Sequence, residues 1–479
     1  MNISWQKVEA KFRQVWGYEQ FRPPQREIIQ TLLSGKDTLI ILPTGGGKSI
    51  CFQLPALLQT GLTLVVSPLV ALMENQVVQL KQLGLSGALL HSELSRQEKQ
   101  LTFRAIQQQN LSLLYLSPET LLSQSLWSVI SQPEVEITGI IIDEVHCLTQ
   151  WGTTFRPAYR RLGTVRRSLL LNKPKGTKIA IAAFTATANP QTQQEIIQVL
   201  ELNEPQKFLV SPYRANLGLQ IKTVWTPRDR KQKMLRFIQT KTRQSGLVYV
   251  RSRKDSQILA TWFQSLNYTV RAYHAGLITK ERRNIERDWI SGKIQFVICT
   301  SAFGMGIDKP DVRWVVHYHV PELLTEYVQE VGRTGRDGKP AQALALISEP
   351  TGLLDPADKQ RSQFFNQQLA KQYHQAQRIV KQLPRQEAIA TIKSQFPQGE
   401  ITLGILHSLG LVTYPDPFHY RKGSDNASII KGVEDQKRHQ REMQQYLKTK
   451  KCRWQYLLQA FGFANEAMGF KCGNCDNCQ

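Results

Sequence analysis

Short apolar runs alternate with stretches of helical periodicity along most of this chain. The runs are rich in β-branched residues and are bounded by turn residues, a pattern that predicts buried strands. In the first half of the chain the predicted strands are residues 39–42, 62–66, 113–116, 137–142 and 178–184. In the second half they are residues 247–250, 269–273, 295–300, 314–318 and 343–347. Strands separated by helices predict parallel sheets that bind ligands at the carboxyl ends of their strands.

The alternation is interrupted at residues 209–228, which show little helical periodicity and contain Pro212 and Pro227. We therefore predict an α/β protein that begins with two tandem parallel-sheet domains, residues 1–208 and 209–348. The rest of the chain has a mostly helical pattern. It predicts a helical or winged-helix insertion at residues 349–430 and a metal-binding module at residues 431–479, in which one long helix covers residues 434–461.

Within the predicted insertion, residues 355–396 and 400–409 have helical periodicity, and residues 411–421 predict a β-hairpin. Three helical segments followed by a two-stranded hairpin are typical of a winged-helix module, with a plain helical insertion as the alternative. The aromatic and imidazole side chains of the predicted hairpin are Tyr414, Phe418, His419 and Tyr420.

Basic residues outnumber acidic ones, with 61 Lys and Arg against 38 Asp and Glu and a net charge of +23. An excess of this size favours a polyanionic partner, most simply nucleic acid. No uncharged apolar run approaches the length of a membrane span, and the N-terminus lacks the apolar stretch of a secretory signal. We therefore expect a cytoplasmic protein, nucleoid-associated if bacterial, with no membrane partner; the sequence identifies no protein partner.

The residues after the first predicted strand have the composition of a phosphate-binding loop. The loop is Thr44, Gly45, Gly46, Gly47, Lys48 and Ser49, followed by a predicted helix at residues 50–58. Glycines let backbone N–H groups converge on an anion, and a helix N-terminus adds its positive dipole end. The lysine of such a loop neutralises phosphate charge and the serine hydroxyl binds Mg²⁺. Leu42 stands where the strict pattern has its first glycine, so a glycine-rich surface turn is the alternative.

Two acidic residues follow the predicted strand at residues 137–142. Asp143 at a buried strand end can hold Mg²⁺ directly or through water, and Glu144 can orient and deprotonate an attacking water. Together with the phosphate-binding loop they predict a site of nucleoside triphosphate hydrolysis. Thr185 and Thr187, after the last strand of this domain, are candidates to link the nucleotide state to the neighbouring domain.

A segment ahead of the phosphate-binding loop suits an adenine base. Tyr18 and Arg22 offer flat surfaces for stacking, and the Gln25 amide can donate and accept hydrogen bonds along an adenine edge. Taken alone the segment is more typical of a helix cap or a core aromatic residue. Its position just before the loop favours nucleotide binding.

Residues 150–157, termed the aromatic loop, follow closely after the acidic pair. Trp151 and Phe155 can stack on nucleic-acid bases, and Arg156 can pair with a phosphate. Because the loop begins four residues after His146, we expect DNA binding there to influence hydrolysis. Packing of the two aromatic rings in the core is the alternative.

The second predicted domain has no Lys-Ser loop but contains Arg333 and Arg336 within residues 329–338. Two arginines three apart on one helical turn face the same way. Because guanidinium groups stabilise the charge on a transferring phosphate, we predict that the pair lies opposite the phosphate-binding loop across an interdomain cleft. A solvated basic face is the alternative.

Four of the seven cysteines lie in the last 28 residues, with the spacing C-x19-C-x2-C-x2-C. They are Cys452, Cys472, Cys475 and Cys478. Four thiolates at this density predict a tetrahedral Zn²⁺ site that has no open position and is therefore structural. A pair of redox-active disulfides is the alternative.

The order of these motifs resembles that of the RecQ family of superfamily 2 helicases. The resemblance covers roughly residues 15–348. It rests on residues 17–25, Val66-Ser67-Pro68-Leu69, the aromatic loop, Tyr273-His274-Ala275-Gly276-Leu277 and residues 303–310. The chain departs from the family at Val145, where alanine is usual, and in the winged-helix pattern, which precedes the zinc cysteines. In the winged interpretation the hairpin at residues 411–421 is a candidate DNA contact or strand-separating wedge.

The resemblance implies two tandem RecA-like lobes that bind and hydrolyse ATP with Mg²⁺. It assigns ATP and Mg²⁺ chemistry to Lys48, Ser49, Asp143 and Glu144, adenine binding to Gln25, and completion of the site in trans to Arg333 and Arg336. We therefore expect an ATP-dependent 3′–5′ DNA helicase that translocates on single-stranded DNA and unwinds duplex DNA in recombination and repair. An RNA helicase on the same scaffold and a catalytically decayed nucleic-acid-binding zinc protein are the alternatives.

Overall fold

The computed structural model describes residues 3–149, 156–303, 307, 309–423 and 429–479, without the side chains of residues 429–431, 433, 435 and 436. The chain divides into two compact units. The first is Met1–Val210 with Gln372–Gly432, and the second is Ser211–Lys371 with Val433–Gln479. Residues 372–432 of the predicted insertion therefore belong to the first unit.

A parallel sheet forms the centre of the first unit. Its strands are β1 (Thr38–Ile41), β2 (Leu62–Val66), β3 (Gly87–Leu90), β4 (Leu113–Leu116), β5 (Ile137–Ile142), β6 (Ala180–Thr185) and β7 (Gln206–Leu209). Their order across the sheet is β3-β4-β2-β5-β6-β1-β7, and the pairings are parallel. The five central strands match the predicted apolar runs. The two edge strands were not predicted, because their side chains are mostly exposed or half-buried.

Helices cover both faces of this sheet. They are α1 (Trp5–Trp16), α2 (Gln25–Leu33), α3 (Lys48–Leu58), α4 (Val70–Gln82), α5 (Arg96–Gln107), α6 (Pro118–Leu121), α7 (Gln124–Ile130), α8 (Gly163–Leu170) and α9 (Pro190–Val199). Two 3₁₀ helices, η1 (Val145–Leu148) and η2 (Pro157–Arg161), follow β5. Alternate residues of β1 enter separate apolar cores, Leu39 on one face and Ile40 on the other. Each large apolar side chain buried in this way stabilises the fold by about 1.5–3 kcal/mol.

The second unit contains its own parallel sheet. Its strands are β8 (Leu217–Val224), β9 (Ser245–Tyr249), β10 (Val270–Tyr273), β11 (Phe296–Cys299), β12 (Val312–His317) and β13 (Ala341–Ser348). Their order is β10-β11-β9-β12-β13-β8, again with parallel pairing. The helices between them are α10 (Pro227–Gln239), α11 (Arg253–Ser265), α12 (Thr279–Ile290) and α13 (Leu324–Val331). The interval predicted as a break therefore contains β8, an edge strand that is only partly buried.

The predicted insertion alternates helices with short strands. The elements are α14 (Ala357–Gln382), β14 (Gln386–Ala388), α15 (Ile389–Gln395), α16 (Gly399–Ser408), β15 (Val412–Thr413) and β16 (His419–Lys422). The strands form an antiparallel sheet in the order β14-β16-β15. A succession of helix, strand, two helices and two strands is the order of a winged-helix module. Residues 372–423, the part within the first unit, are termed the inserted module below.

The C-terminal segment contains α17 (Ile429–Lys448), α18 (Arg453–Ala460) and α19 (Ala464–Ala467). The prediction of one helix over residues 434–461 is therefore wrong. The chain leaves the helical path after Lys448 because the Asn477 side-chain amide binds the Thr449 and Lys451 carbonyls, at 2.8 and 2.7 Å. Among the described residues, none of the helices combines the length and apolar character that a membrane crossing requires.

Candidate functional site

The predicted phosphate-binding loop lies at the carboxyl end of β1 and leads directly into α3. Gly45 and Gly47 adopt φ values of 85° and 72°, which L side chains rarely adopt. A Cβ atom at Gly47 would also lie 2.3 Å from the Gln25 side-chain nitrogen. Because Gly47 occupies the N-cap position and has no side chain, the first N–H groups of α3 are left for an anion.

The predicted adenine-binding segment contacts this loop. The Gln25 amide nitrogen donates to the Gly46 and Gly47 carbonyls at 3.3 Å each, while its oxygen accepts from the Arg22 backbone N–H at 2.9 Å. The Arg22 guanidinium donates to the Gly45 carbonyl at 3.3 Å. Tyr18 is half exposed. The structure therefore brings Gln25 and Arg22 to the loop and leaves the Tyr18 ring available for stacking.

The two acidic residues lie at the carboxyl end of β5, beside the lysine of the loop. The Lys48 ammonium is 3.8 Å from a Glu144 carboxylate oxygen, and the Glu144 N–H donates to the Asp143 carboxylate at 2.9 Å. Glu144 adopts left-handed backbone angles, φ 48° and ψ 45°. A non-glycine residue in this region costs about 1–3 kcal/mol and is typical of functional sites.

The electrostatics of this acidic pair favour a cation. Burial and the neighbouring Glu144 charge raise the pKa of Asp143 to about 6, although Lys48 opposes the shift. Two carboxylates beside one ammonium therefore leave negative charge uncompensated. Carboxylate and hydroxyl oxygens are preferred Mg²⁺ ligands, so Asp143 with Ser49, the second residue of α3, fits the predicted metal.

Two side chains that we did not single out from the sequence hold the acidic pair in place. His146 Nδ1 is 3.2 Å from a Glu144 carboxylate oxygen and 3.0 Å from the Thr185 hydroxyl. The Tyr159 hydroxyl donates to the Asp143 carbonyl at 3.2 Å. The position of His146, three residues after Asp143, could have indicated its role from the sequence. No sequence pattern indicated a role for Tyr159.

The aromatic loop lies mostly outside the described residues, which resume at Arg156. Stacking by Trp151 and Phe155 therefore stays a prediction. The Arg156 guanidinium donates to the Glu119 carboxylate at 2.7 Å and to the Pro68 carbonyl at 2.5 Å. Its predicted contact with a phosphate also stays a prediction.

The arginine pair of the second unit lies beyond a helix end, so its placement on a helical turn is wrong. The helix α13 ends at Val331, and Gly335 adopts a φ of 56°. Arg333 and Arg336 line one small cavity together with Trp289, and the Arg336 guanidinium donates to the Ile307 carbonyl at 3.0 Å. The two side chains are therefore neighbours, as predicted, but a turn rather than a helix positions them.

A buried ion network lies just ahead of this turn. The Glu330 carboxylate accepts two hydrogen bonds from the Arg251 guanidinium, at 3.0 and 2.8 Å, and lies 2.8 Å from His317 Nε2. Burial opposes ionisation of this carboxyl, but Arg251 and His317 lower the pKa of Glu330 to about 2. The network fixes the C-terminal end of α13.

The four C-terminal cysteines form a compact cluster whose sulfur atoms all lie within 4.8 Å of one another. The Cys472–Cys478 and Cys452–Cys475 sulfur distances are 3.9 and 4.0 Å. Tetrahedral zinc thiolates with bonds near 2.3 Å give sulfur–sulfur distances of about 3.8 Å. A disulfide would require about 2.0 Å. The donor set therefore fits Zn²⁺, and the disulfide alternative does not describe these cysteines.

The predicted hairpin around residues 415–417 is present, but its aromatic rings pack inside the first unit. Tyr414 and Tyr420 are buried, and Phe418 meets Trp127 edge to face with ring centroids 5.3 Å apart. The partly buried His419 binds Asp416 at 3.0 Å. The prediction of a strand-separating wedge is therefore wrong for the three aromatic rings, which are used in packing, while a DNA contact by the half-exposed His419 stays a prediction.

Solved structures establish the fold of the two sheet-containing parts. The helicase Lhr of Mycobacterium smegmatis, bound to ssDNA and AMP-PNP, has a TM-score of 0.56 and 21% identity, covering 72% of this chain and 48% of that chain. Dbp5 of S. cerevisiae, bound to RNA and ADP BeF3, has a TM-score of 0.57 and 18% identity, covering 71% of this chain and 87% of that chain. At these identities the similarity shows the fold alone.

Family models and relatives extend the comparison to the sequence. The DEAD/DEAH box helicase model matches residues 22–196, the helicase conserved C-terminal domain matches residues 229–338, and the RecQ zinc-binding model matches residues 424–479. The probable ATP-dependent DNA helicase RecS of Bacillus subtilis is 39% identical over 71% of this chain and 66% of the relative. The ATP-dependent DNA helicase RecQ of Pasteurella multocida is 40% identical over 70% of this chain and 51% of the relative.

One relative matches the chain from end to end, including the inserted module. The ATP-dependent DNA helicase RecQ of Synechocystis sp. is 50% identical over 473 residues, which is 99% of this chain and 98% of the relative. The chain spans only about half to two thirds of the other two relatives. The nucleotide-site residues of the first unit lie together at the carboxyl ends of its strands, and the RecQ zinc-binding model matches the four-cysteine cluster. The chain therefore belongs to the RecQ family of ATP-dependent DNA helicases.

Proposed function

We propose that this chain hydrolyses ATP to move 3′ to 5′ along single-stranded DNA and to separate duplex DNA, in recombination and repair. The observation that carries the proposal is the acidic pair Asp143–Glu144 beside Lys48, in a chain similar over its whole length to RecQ of Synechocystis. The net charge of +23 supports a polyanionic partner. A cytoplasmic location, with nucleoid association in a bacterial cell, belongs to the same proposal.

Each residue of the first unit's site has a distinct task in this mechanism. The N–H groups of Gly45 to Ser49 surround the phosphates, and Lys48 neutralises their charge. Glu144 orients and deprotonates the attacking water, with its carboxylate positioned by His146. Asp143 and Ser49 would hold Mg²⁺, which neutralises charge on the phosphate oxygens when bound.

The remaining site residues bind the base, the transferring phosphoryl group and the structural metal. Gln25, Arg22 and Tyr18 bind adenine, and Arg333 and Arg336 stabilise the phosphoryl group from the second lobe. The four cysteine thiolates would hold Zn²⁺ as a structural ion.

Movement follows from alternating grip. ATP binding draws the two lobes together, hydrolysis releases them, and single-stranded DNA is held by one lobe while the other moves. In this proposal Trp151 and Phe155 contact the DNA and influence Glu144 through the short segment between them. One turnover then advances the protein by one step.

Phosphate release and strand separation test this function directly. We expect single-stranded DNA to stimulate phosphate release, and duplexes with a 3′ tail to be unwound in preference to those with a 5′ tail. Matched RNA substrates test the alternative of an RNA helicase. Equal or stronger stimulation of phosphate release by RNA would favour that alternative. No phosphate release with either nucleic acid would favour the catalytically decayed alternative.

A Lys48→Ala variant tests the assignment of the site. Because it removes the charge nearest the phosphates, kcat for ATP hydrolysis should fall by about 100-fold or more while DNA affinity is largely kept. The control is Lys36→Ala, which removes an exposed lysine just before β1. Undiminished hydrolysis by Lys48→Ala would refute the assignment.

A further inference from the structure

The helix α16 of the inserted module packs against η2 of the first unit's large sheet domain. In DNA-binding helix-turn-helix proteins, the second helix of the pair lies in the major groove. Here the corresponding helix is α16, and its side chains contact protein instead. The module therefore has an internal partner, and the contacts show which part of the sheet domain it engages.

Two consecutive arginines of η2 form this contact. The Arg161 guanidinium donates to the Glu400 carboxylate at 2.5 Å and to the Pro417 carbonyl at 3.1 Å. The Arg160 side chain donates to His407 Nδ1 at 3.0 Å. Both arginines are buried, with 3% and 8% of Arg160 and Arg161 exposed. Buried guanidinium groups are costly unless paired, so these partners are required for a stable arrangement.

The state of His407 agrees with this geometry. A guanidinium can only donate, so Nδ1 must accept, and the imidazole is neutral with its hydrogen on Nε2. Burial and the adjacent Arg160 charge lower the pKa of His407 to about 3. The Tyr414 ring stacks on the imidazole with centroids 4.6 Å apart. The contact therefore persists at neutral pH.

The 3₁₀ helix η2 also contacts the segment that follows β5, including the backbone of Asp143. The Arg160 guanidinium also donates to the Leu148 carbonyl at 3.2 Å and to the Glu195 carboxylate at 2.8 Å. Two residues after the start of η2, the Tyr159 hydroxyl binds the Asp143 carbonyl. Because η2 begins at Pro157, the last residue of the aromatic loop, it is the fixed end from which that loop extends.

We infer that the inserted module is a positioning element for the aromatic loop. Glu400 and His407 hold Arg161 and Arg160, and thereby fix the end of the loop relative to Asp143. They are positioning residues, since they act through Arg161 and Arg160. The inference rests on the proposed function of the loop in sensing DNA. The module is then required for DNA-stimulated hydrolysis and not for basal hydrolysis, because Glu400 and His407 bind η2, whereas the Lys48 ammonium and the Glu144 carboxylate are positioned by each other and by His146.

A Glu400→Ala variant of the full chain tests this inference. Phosphate release is measured with and without single-stranded DNA over a range of ATP concentrations. We expect DNA stimulation to fall by about fivefold, the lower end of coupling effects between sites, with the basal rate and the KM for ATP unchanged. Unchanged stimulation, or an equal loss of basal and stimulated rates, would overturn the inference.

Lys393→Ala is the matched control. The Lys393 ammonium is 3.5 Å from the other Glu400 oxygen, and its side chain is 70% exposed. This variant therefore removes an ion pair of the same carboxylate without touching η2, and DNA stimulation should stay at the wild-type value. A loss equal to that of Glu400→Ala would show that the link to η2 is not the cause.

A charge exchange and a structural readout separate this inference from the proposed function. Arg161→Glu and Glu400→Arg should each lose stimulation, and the double variant should regain part of it. Amide hydrogen exchange at residues 158–161 should be faster in Glu400→Ala than in the wild type. If DNA does not stimulate the wild type, the proposed function fails, while unchanged exchange at residues 158–161 overturns the inference independently.

Discussion

At the scale of single residues, the Asp143 carboxylate lowers the stability of the folded protein while serving the proposed hydrolysis site. Partial burial and the neighbouring Glu144 charge raise the pKa of the Asp143 carboxyl from 3.8 to about 6. The folded state therefore binds this proton more tightly than the unfolded state. Stability from this group decreases as pH rises from about 4 to about 6, and the full cost applies above about 6. A bound cation would offset that cost.

Replacement of Asp143 by Asn should therefore stabilise the protein and abolish hydrolysis. The Asn oxygen can still accept from the Glu144 N–H, while the unfavourable charge is lost. In Mg²⁺-free buffer at about pH 7.5 we expect the free energy of unfolding to increase by about 1 kcal/mol. This is less than the free energy equivalent to the full pKa shift, because Asp143 is partly exposed. Thermal denaturation measures the gain, and phosphate release measures the loss.

The pH dependence identifies the cause of that gain. At about pH 5 wild-type Asp143 is itself mostly protonated, so the difference between the two proteins should shrink. Asp229→Asn is the opposite control, because hydrogen bonds from the Trp225 N–H and the Lys233 side chain hold the pKa of Asp229 low despite partial burial. It should lose stability at about pH 7.5. A gain for Asp143→Asn that is independent of pH would contradict this account.

The nucleotide-site residues could be named from the sequence because their chemistry is local. The phosphate-binding loop and the acidic pair each consist of adjacent residues after an apolar strand, and sheet topology then brings them together. Tyr159 and His146 act through contacts with Asp143 and Thr185, which depend on how η2 and β6 pack against β5. No spacing in the sequence encodes those contacts.

At the scale of elements, the turn after α13 positions the arginine pair of the second unit. Its upstream end is fixed by Glu330 and Arg251. Downstream, Arg214 and Asn216 side chains bind the Gly335 carbonyl. Gly335 has a φ of 56°, and a Cβ there would lie 2.6 Å from the Asn216 amide nitrogen and 2.9 Å from the Lys339 carbonyl. Only glycine fits this turn without displacing its neighbours.

A Gly335→Ala variant should therefore displace Arg336 and lower kcat for ATP hydrolysis by about tenfold, in line with loss of a positioned charge-stabilising group. The matched control is Gly338→Ala. Gly338 has a φ of 79°, but no atom lies within 4 Å of a Cβ added there. That variant has only the backbone cost of about 1–2 kcal/mol. Equal kcat values for the two variants, measured where both are folded, would contradict this role for the turn.

Three strands that the apolar runs did not predict share a physical reason. The edge strands β3, β7 and β8 have one neighbour in the sheet and expose several side chains, so their apolar runs are interrupted. Central strands are buried on both faces and give continuous apolar runs, which is why they were predicted. The helical turn expected for Arg333 and Arg336 failed because two glycines, Gly332 and Gly335, end the helix.

At the scale of the whole chain, the cysteine cluster holds the C-terminus against the start of the second sheet. Asp476 accepts from the Ile221 N–H at 2.9 Å, and its own N–H donates to the Leu219 carbonyl at 3.1 Å. The Trp454 indole donates to the Leu217 carbonyl at 3.0 Å. These contacts cover the unpaired edge of β8, the kind of edge that otherwise favours aggregation.

Loss of the metal should therefore increase local unfolding most strongly at β8. In Cys475→Ser we expect loss of bound zinc, a decrease in stability of several kcal/mol and faster amide exchange in Leu217–Val224, because structural zinc contributes on the order of 10 kcal/mol to small modules. Zinc content is measured by metal analysis and exchange by mass spectrometry. Cys299→Ser is the control, since it alters a buried cysteine of β11 outside the cluster and should keep its zinc. Zinc loss with wild-type exchange at β8 would show that Asp476 and Trp454 hold that edge without the metal, and that the cluster stabilises only the C-terminal segment.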